Sequence, residues 1–533
     1  MPSDLHHSDE YELELPKRES FESSDDYNLD DVDFETQGLT TNAYGERSQT
    51  SLIHSILQYL PRQFKRRRLP HPSGRRQRRG SHSRPILPSR RRVLRRSCHF
   101  CTTLVTFVVL LAAFVSLFAP SYTKLPPHYE RLRSKVLASK DYGRANDQNE
   151  KIFIAASLYD PDGKLVNGAW GDAVLGLLDL LGNRNVFLSI YENDGNENSR
   201  RALQEFEDHV QSHRSLTYEK HLSLKGLPTV RLPDGSERTK RIAYLAETRN
   251  KALAPLDGKA NQAYDKILFL NDVIFDPLDA AQLLFSTHVD AHGKARYNAA
   301  CAVDFINPFK FYDTFATRDF EGYSMGVPFF PWFTKAGHGI SRADVLRGVD
   351  AVRVKSCWGG MIAFDGKYFQ QALLKKQKRA TDNEKLHGAR SSKLAPLRFR
   401  SSQDVGRESS ECCLIHADFA ALQTDYDSAN DTGVYQNPFV RVAYGTHTFR
   451  WLRTTRRFER LFTLPHNFID WIAGMPRLNP LRIQRGDQGD NIAQGGSHDT
   501  GEERGGFCSI KGLQVLRENP KPEEKNWESL DVP

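Results

Sequence analysis

The sequence predicts an α/β domain carried behind a single membrane-spanning helix, and three observations predict it. A charge-free run, Phe100 to Ala119, is long enough to cross a hydrocarbon core of roughly 30 Å. From Lys151 onward, short apolar strands alternate with apolar residues at helical spacing, the pattern of a sheet covered by helices. The run Lys266 to Phe275 (KILFLNDVIF) is broken abruptly by Asn271-Asp272. In an α/β sheet ligands bind beyond the carboxyl ends of the strands, so this last feature predicts a site as well as a fold.

The segment before the apolar run sets the topology. Arg62 to Arg96 holds 15 Lys/Arg and no acid. The positive-inside rule therefore predicts a cytosolic N-terminus and a lumenal chain after Ser121. A cleaved signal peptide is the competing reading, but the run begins at residue 100 and exceeds the length of a signal h-region. The net charge of +8 is unevenly spread: residues 1–61 carry −11 and the basic run +15, leaving +4 on the rest. Although Lys65 to Arg68 resembles a nuclear import patch, the basic excess is confined to a juxtamembrane tail poor in aromatics. It reads as a topology signal and lipid-headgroup contact, with no nucleic-acid partner. The expected order is a disordered cytosolic tail over 1–97, acidic then basic, and a transmembrane helix over 98–120.

Cysteines divide with the topology. Cys98 and Cys101 sit at the membrane face, where palmitoylation and simple burial are both open. Cys301, Cys357, Cys412, Cys413 and Cys508 would meet an oxidising lumen, which suits one or two disulfides whose pairing sequence does not give. With no Cys-x-x-Cys there, a structural zinc site is not expected. Asn430-Asp431-Thr432 is a glycosylation acceptor triplet.

Residues 121–150 read as a polar, helix-prone stem. Ile152 to Leu158 is the first strand, and Ala173, Val174, Leu177, Leu178 and Leu181 mark a helix behind Trp170-Gly171-Asp172. Val186 to Tyr191 is a second strand, followed by a helix over Arg201 to Val210, and Tyr297 to Phe305 is a later strand ending near Asp304. A lumenal domain of 151–480 can bury a full core. Gln371 to Arg400 reads as a basic loop within it, and 481–533 as a disordered tail.

Four places offer chemistry. The turn Ser189 to Ser199 can bring Glu192 and Asp194 beside helix N-terminal amides, for a base, a ribose hydroxyl or a phosphate, or it can simply cap a helix. Glu247-Thr248-Arg249-Asn250 precedes Asn271-Asp272 by one strand. A diphosphate needs cationic neutralisation, and a divalent cation on one or two carboxylates plus phosphate oxygens supplies it. Ser356-Cys357-Trp358-Gly359-Gly360 offers an aromatic face suited to a sugar ring, or a buried Trp beside a tight turn. In Ser410 to Asp418, a strand over Cys413 to Ile415 would turn His416 and Asp418 to one face as metal ligands, a structural histidine being the alternative.

Taken in order, the strand Ile152 to Leu158, Ser189-Ile190-Tyr191-Glu192-Asn193, Ala246-Glu247-Thr248-Arg249-Asn250, Phe269-Leu270-Asn271-Asp272-Val273, Ser356 to Gly360, Ser410-Glu411-Cys412-Cys413-Leu414 and Asn437 to Tyr444 resemble the fungal cryptococcal α-1,3-mannosyltransferase family, which includes the capsule-associated proteins. The resemblance runs from about Lys151 to Tyr444. It implies a GT-A-like fold, a mixed sheet flanked by helices, in a type II Golgi membrane enzyme. It further implies GDP-mannose as donor, a divalent cation (Mn2+ or Mg2+) as cofactor, and a cell-surface glycan as acceptor. On the family pattern Arg249 and Asn250 lie beside the donor nucleotide and Asp272 at the metal and diphosphate. One departure stands out: Asn271-Asp272-Val273 replaces the Asp-x-Asp usual for the fold. Asp304, Glu411 and His416 are the candidates for the missing second ligand or acid.

The expected reaction retains configuration, since donor and product are both α, and it passes through an oxocarbenium-like sugar. Two rivals stand beside it. One is a non-catalytic secretory-pathway protein of the same fold, acting in glycan export or assembly. The other is a tethered nucleic-acid or lipid binder driven by Arg62 to Arg96, which leaves the large domain without a role.

Overall fold

The computed structural model describes residues 90–232, 235–257, 263–370, 396–404, 406–422, 431–480, 506–517 and 525–530. The acidic and basic tails up to residue 89, most of the loop expected over Gln371 to Arg400, and Asn430 lie outside the described residues.

Helix α1 (Arg90–Phe118) contains the apolar run; its span His99–Phe118 has a mean hydropathy of 2.4 and is not buried against the rest of the chain. Its length and composition suit a membrane anchor. The stretch expected as a stem is part of the folded body. Tyr122 donates its hydroxyl to the Val345 carbonyl at 3.0 Å, and Tyr129 on α2 (Pro127–Ala138) is fully buried, accepting a bond from Asn437 Nδ2 at 2.6 Å. The sequence hid this because two tyrosines in a charged segment carry no periodic signal.

Along the chain come β1 (Ile152–Leu158), α3 (Ala169–Leu181), β2 (Val186–Asn193), α4 (Glu197–His209) and β3 (His213–Glu219), the three strands pairing side by side in parallel. After the small pair β4 (Thr229–Arg231) and β5 (Glu237–Thr239) come α5 (Arg241–Leu253), β6 (Lys266–Leu270), α6 (Pro277–Ser286), β7 (Ala299–Phe305) and β8 (Arg318–Asp319). Then follow α7 (Ile340–Arg347), β9 (Val352–Ser356), β10 (Met361–Asp365), β11 (Arg407–Ser409), α8 (Glu411–Leu422), β12 (Val434–Ala443), α9 (Thr446–Thr455) and α10 (Thr463–Ala473). The main sheet has nine strands in the order β3-β2-β1-β6-β10-β7-β12-β9-β8. It is mixed, because β10 runs antiparallel between β6 and β7.

Both faces of the sheet are covered at its centre, which is why β1 and β6 read as nearly continuous apolar runs. In β1, Phe153 and Ala155 belong to one core, while Ile152, Ile154 and Ala156 belong to the other with Val174, Leu177 and Leu178 of α3. The segment expected as a strand at Cys413 to Ile415 is instead the start of α8.

The C-terminal stretch, expected to be disordered throughout, returns to the domain. Strand β13 (Ser509–Lys511) pairs with β11, and β14 (Leu513–Leu516) pairs with β15 (Trp527–Leu530). Disulfides join Cys301 to Cys357 and Cys413 to Cys508, leaving Cys412 as a buried thiol. The buried Arg318 guanidinium donates to the carbonyls of Phe507 (2.8 Å) and Cys508 (3.0 Å), so the tail supplies hydrogen bonds that a buried cation requires. Cys508→Ser should lower unfolding stability by about 2–5 kcal/mol, the usual effect of losing a native disulfide. Thermal unfolding of the two forms checks this; equal stability would mean the tail is not needed for the fold.

Candidate active site

Strands β1, β2, β6, β7 and β12 all end at the same edge, and antiparallel β10 begins there, with Met361 opposite Leu270. That edge gathers Asp160, Glu192, Asp194, Asn271, Asp272, Asp304, the turn Trp358-Gly359-Gly360, and Tyr444.

Asn271 is held on every side. Its N–H donates to the Gly360 carbonyl (2.9 Å), its own carbonyl accepts from Trp170 Nε1 (2.9 Å), and its Oδ1 accepts from Trp358 Nε1 (3.1 Å). Gly359 and Gly360 both have positive φ, and a side chain at Gly359 would meet the Ala302 carbonyl oxygen at 2.0 Å, so this turn admits only glycine there. The next residue, Asp272, is half-buried, and among the described residues its carboxylate makes no bond to another side chain. Burial pushes its pKa up, with Arg249 pulling it down and Asp160 adding repulsion.

The neighbouring acids share this strain. Glu192 is buried with its pKa raised to about 7, chiefly by burial and further by Asp160 and Asp194. One of its oxygens accepts from the Asp160 N–H at 3.0 Å; the other is buried without a partner. Asp160, also raised by burial, accepts from the N–H groups of Leu165 (2.9 Å) and Val166 (3.0 Å). Asp194 sits in a left-handed turn, bonded to the Tyr244 hydroxyl and Asn193 Nδ2, with His221 Nδ1 2.6 Å from its other oxygen. The following turn caps α4 through Asn196 and Ser199, so the capping reading of that segment holds alongside any binding role.

Several residues singled out from sequence have other work. Asn250 bonds the Phe399 backbone in both directions, at 2.8 and 2.9 Å. Arg249 pairs with Glu411 at 3.0 Å, and its guanidinium lies 4.7 Å from the Trp358 ring centroid, with Phe269 and Phe399 beside it. Trp358 is therefore fully buried under an arginine and does not offer a face to a sugar. Asp304 and Glu411 are both buried and present no oxygen to solvent. Asp304 accepts from the N–H of Asp313 (3.1 Å) and the hydroxyl of Tyr444 (3.3 Å). Burial and the adjacent Asp313 push its carboxyl well above the usual carboxylate range. Asp313 in turn accepts from the Gly359 N–H at 3.0 Å, so this acid pair supports the glycine turn.

His416 is corrected outright as a metal ligand. It is buried on α8, 2.7 Å from the Cys357 carbonyl, and burial lowers its pKa to about 4. The ligand atoms of Cys301, Cys357 and His416 lie within 4.8 Å of one another, but the two sulfurs form a disulfide and offer no thiolate. Asp304, Glu411 and His416 are all buried and bonded to other parts of the chain, and the carboxylate whose charge acts on Asp272 is Asp160, which the sequence analysis did not name. Its only signal was position, two residues beyond the end of β1. A divalent cation fits this edge: one available carboxylate in a field of buried, under-neutralised acids, with phosphate oxygens to complete the shell.

A mixed α/β sheet whose strand ends carry this acidic edge suits a glycosyltransferase. The family model described as Cryptococcal mannosyltransferase 1 matches residues 151–418, and the chain belongs to that family. A search of curated proteins found no match. Among solved structures, the mannosyltransferase PcManGT of Pyrobaculum calidifontis, in complex with GDP-Man and Mn2+, aligns at 11% identity over 69% of this chain and 87% of its own, with a TM-score of 0.30. S. aureus TarS 1-349 with UDP-GlcNAc aligns at 9% identity over 56% of this chain and 60% of its own, with a TM-score of 0.25. Likenesses of this size say nothing about what the present chain binds.

Glu192 gives a pH test. Its folded pKa lies above the unfolded carboxylate value, so it binds more protons in the folded state between roughly pH 4.3 and 7, and its ionisation costs stability as pH rises through that window. Glu192→Gln should gain stability relative to wild type from the low end of this window to the high end, as read by denaturant unfolding at each pH. A constant difference would mean that Glu192 is not buried as described.

Proposed function

We propose that the domain transfers mannose from GDP-mannose to a hydroxyl of a cell-surface or capsule-type glycan, with retention and an α-1,3 linkage. Family membership supports the transferase class, and the observation that carries the site is the unshared Asp272 carboxylate at the end of β6, placed by the bonds on Asn271. The topology proposed is type II in the Golgi membrane, with α1 as anchor and the basic run on the cytosolic side.

Asp272 would hold a manganese or magnesium ion together with the donor diphosphate, and Asp160 adds negative potential behind it. When bound, that ion neutralises the charge that develops on the departing diphosphate. The bonds on Asn271 hold the backbone that carries Asp272, which would limit reorganisation as charge develops. Arg249 keeps the aromatic wall of Trp358, Phe269 and Phe399 in place, acting as a positioning group and not as a phosphate ligand. Asp194, with a quarter of its side chain exposed at the β2 end, is the remaining candidate for a donor hydroxyl. Asp304, fully buried, supports the glycine turn through Asp313.

The rival reading, a protein of this fold without transfer activity in glycan export or assembly, draws on the single free carboxylate where two are usual. Detergent-solubilised full-length chain titrated with GDP-mannose, with and without manganese, separates the two. Metal-dependent donor turnover, reduced roughly 100-fold or more in Asp272→Asn with unfolding unchanged, is the expected result. A folded wild type that binds no donor with either metal would support the rival.

A further inference from the structure

Helix α10 is inside out. Its inward-facing residues are His466 and Asp470, joined at 2.9 Å and tied to the body through Arg342 Nη1 (3.0 Å from His466) and the Val327 N–H (2.8 Å to Asp470). The outward residues are Leu464, Phe468, Trp471 and Ile472, each between 56% and 77% exposed. They fall at i, i+4, i+7 and i+8, so they form one stripe. Water-soluble helices place such a stripe inward; an outward one of this size marks a contact surface. On α9, Trp451 is a further exposed aromatic. Between Gly445 and Arg477 the only acids, Glu459 and Asp470, are both buried, while Arg450, Arg453 and Arg457 are exposed.

The occupant follows from where this surface lies. Three residues beyond the end of α1, the Ser121 N–H donates to the Arg456 carbonyl at 2.9 Å, and Arg456 Nη1 reaches the Tyr122 carbonyl at 3.3 Å. Helix α1 also approaches Glu459–Phe462, the turn that leads directly into α10. The chain therefore leaves its anchor at the segment that joins α9 to α10. We infer that the α9–α10 face lies on the lumenal leaflet of the bilayer that α1 spans, with Leu464, Phe468, Trp471 and Ile472 in the headgroup boundary. Arginines at the rim meet lipid phosphates, and tryptophan suits the interface. The transferase domain is then held flat against the membrane instead of swinging on a stem. The inference rests on α1 being membrane-inserted, independently of donor or catalysis.

The test uses full-length chain reconstituted into phosphatidylcholine vesicles with brominated acyl chains, after an alkaline wash. The other tryptophans in the described residues (Trp170, Trp332, Trp358 and Trp527) are buried, so Trp451 and Trp471 dominate any quenching by lipid. The expected result is quenching in wild type that is reduced in Trp471→Phe and lost in the Trp451→Phe/Trp471→Phe double variant, with unchanged melting, since both side chains are exposed. A chain that resists the wash yet shows no quenching overturns the proposal while leaving the anchor intact. Release by the wash overturns it at its premise. Trp471 shielded from aqueous acrylamide but not quenched by lipid assigns the face to a protein partner or a second copy, and equally overturns it.

Discussion

The geometry of the candidate site depends on the fixing of Asn271. Three hydrogen bonds from two separate parts of the chain, one from the α3 tryptophan and two from the Trp358-Gly359-Gly360 turn, converge on one residue at the end of a central strand. Each such bond contributes only about 1 kcal/mol net, yet leaving a buried partner unmade costs about 1–3 kcal/mol, so the arrangement is held by the penalty of breaking it. Asp272 inherits that rigidity without forming a side-chain bond of its own.

Around this point the chain places acids in two different settings. Asp304 and Asp313 are buried together, both raised chiefly by burial, and support the glycine turn. Burial also raises the pKa values of Asp160, Glu192 and Asp272, a cost that a bound cation would offset. Arg249, the nearest cation, is already committed to Glu411 and the aromatic wall.

Strong periodicity made much of the fold legible. The first strand appears over Ile152–Leu158 as the apolar run implied, and α3 follows from its spaced leucines. The long apolar helix and the α/β class were equally visible. Three things were not. An antiparallel β10 inside the sheet leaves no mark on composition, because burial on both faces gives it the same apolar run as its parallel neighbours. The Glu411–Leu422 helix is buried almost all round, so its apolar run mimicked a strand and misplaced His416. The C-terminal strands are short and polar, and their place is set by a disulfide and by Arg318. At the site, position at a strand end singled out Asp272, but residue type alone does not separate an accessible side chain from a buried one. Trp358 and Asp304 are fully buried, Asn250 bonds the Phe399 backbone, and Asp160, whose charge acts on Asp272, stood out by position alone.

The most direct test of this account is the manganese affinity of Trp358→Phe, measured by electron paramagnetic resonance in the presence of GDP-mannose. Phenylalanine keeps an aromatic ring beneath Arg249 but removes the N–H that orients Asn271. Affinity weakened by roughly 10-fold or more, with unfolding little changed, is the expected result, since outer partners of a metal ligand carry effects of that size. Wild-type affinity in a folded Trp358→Phe chain would contradict the claim that the Asn271 bonds place Asp272 for metal.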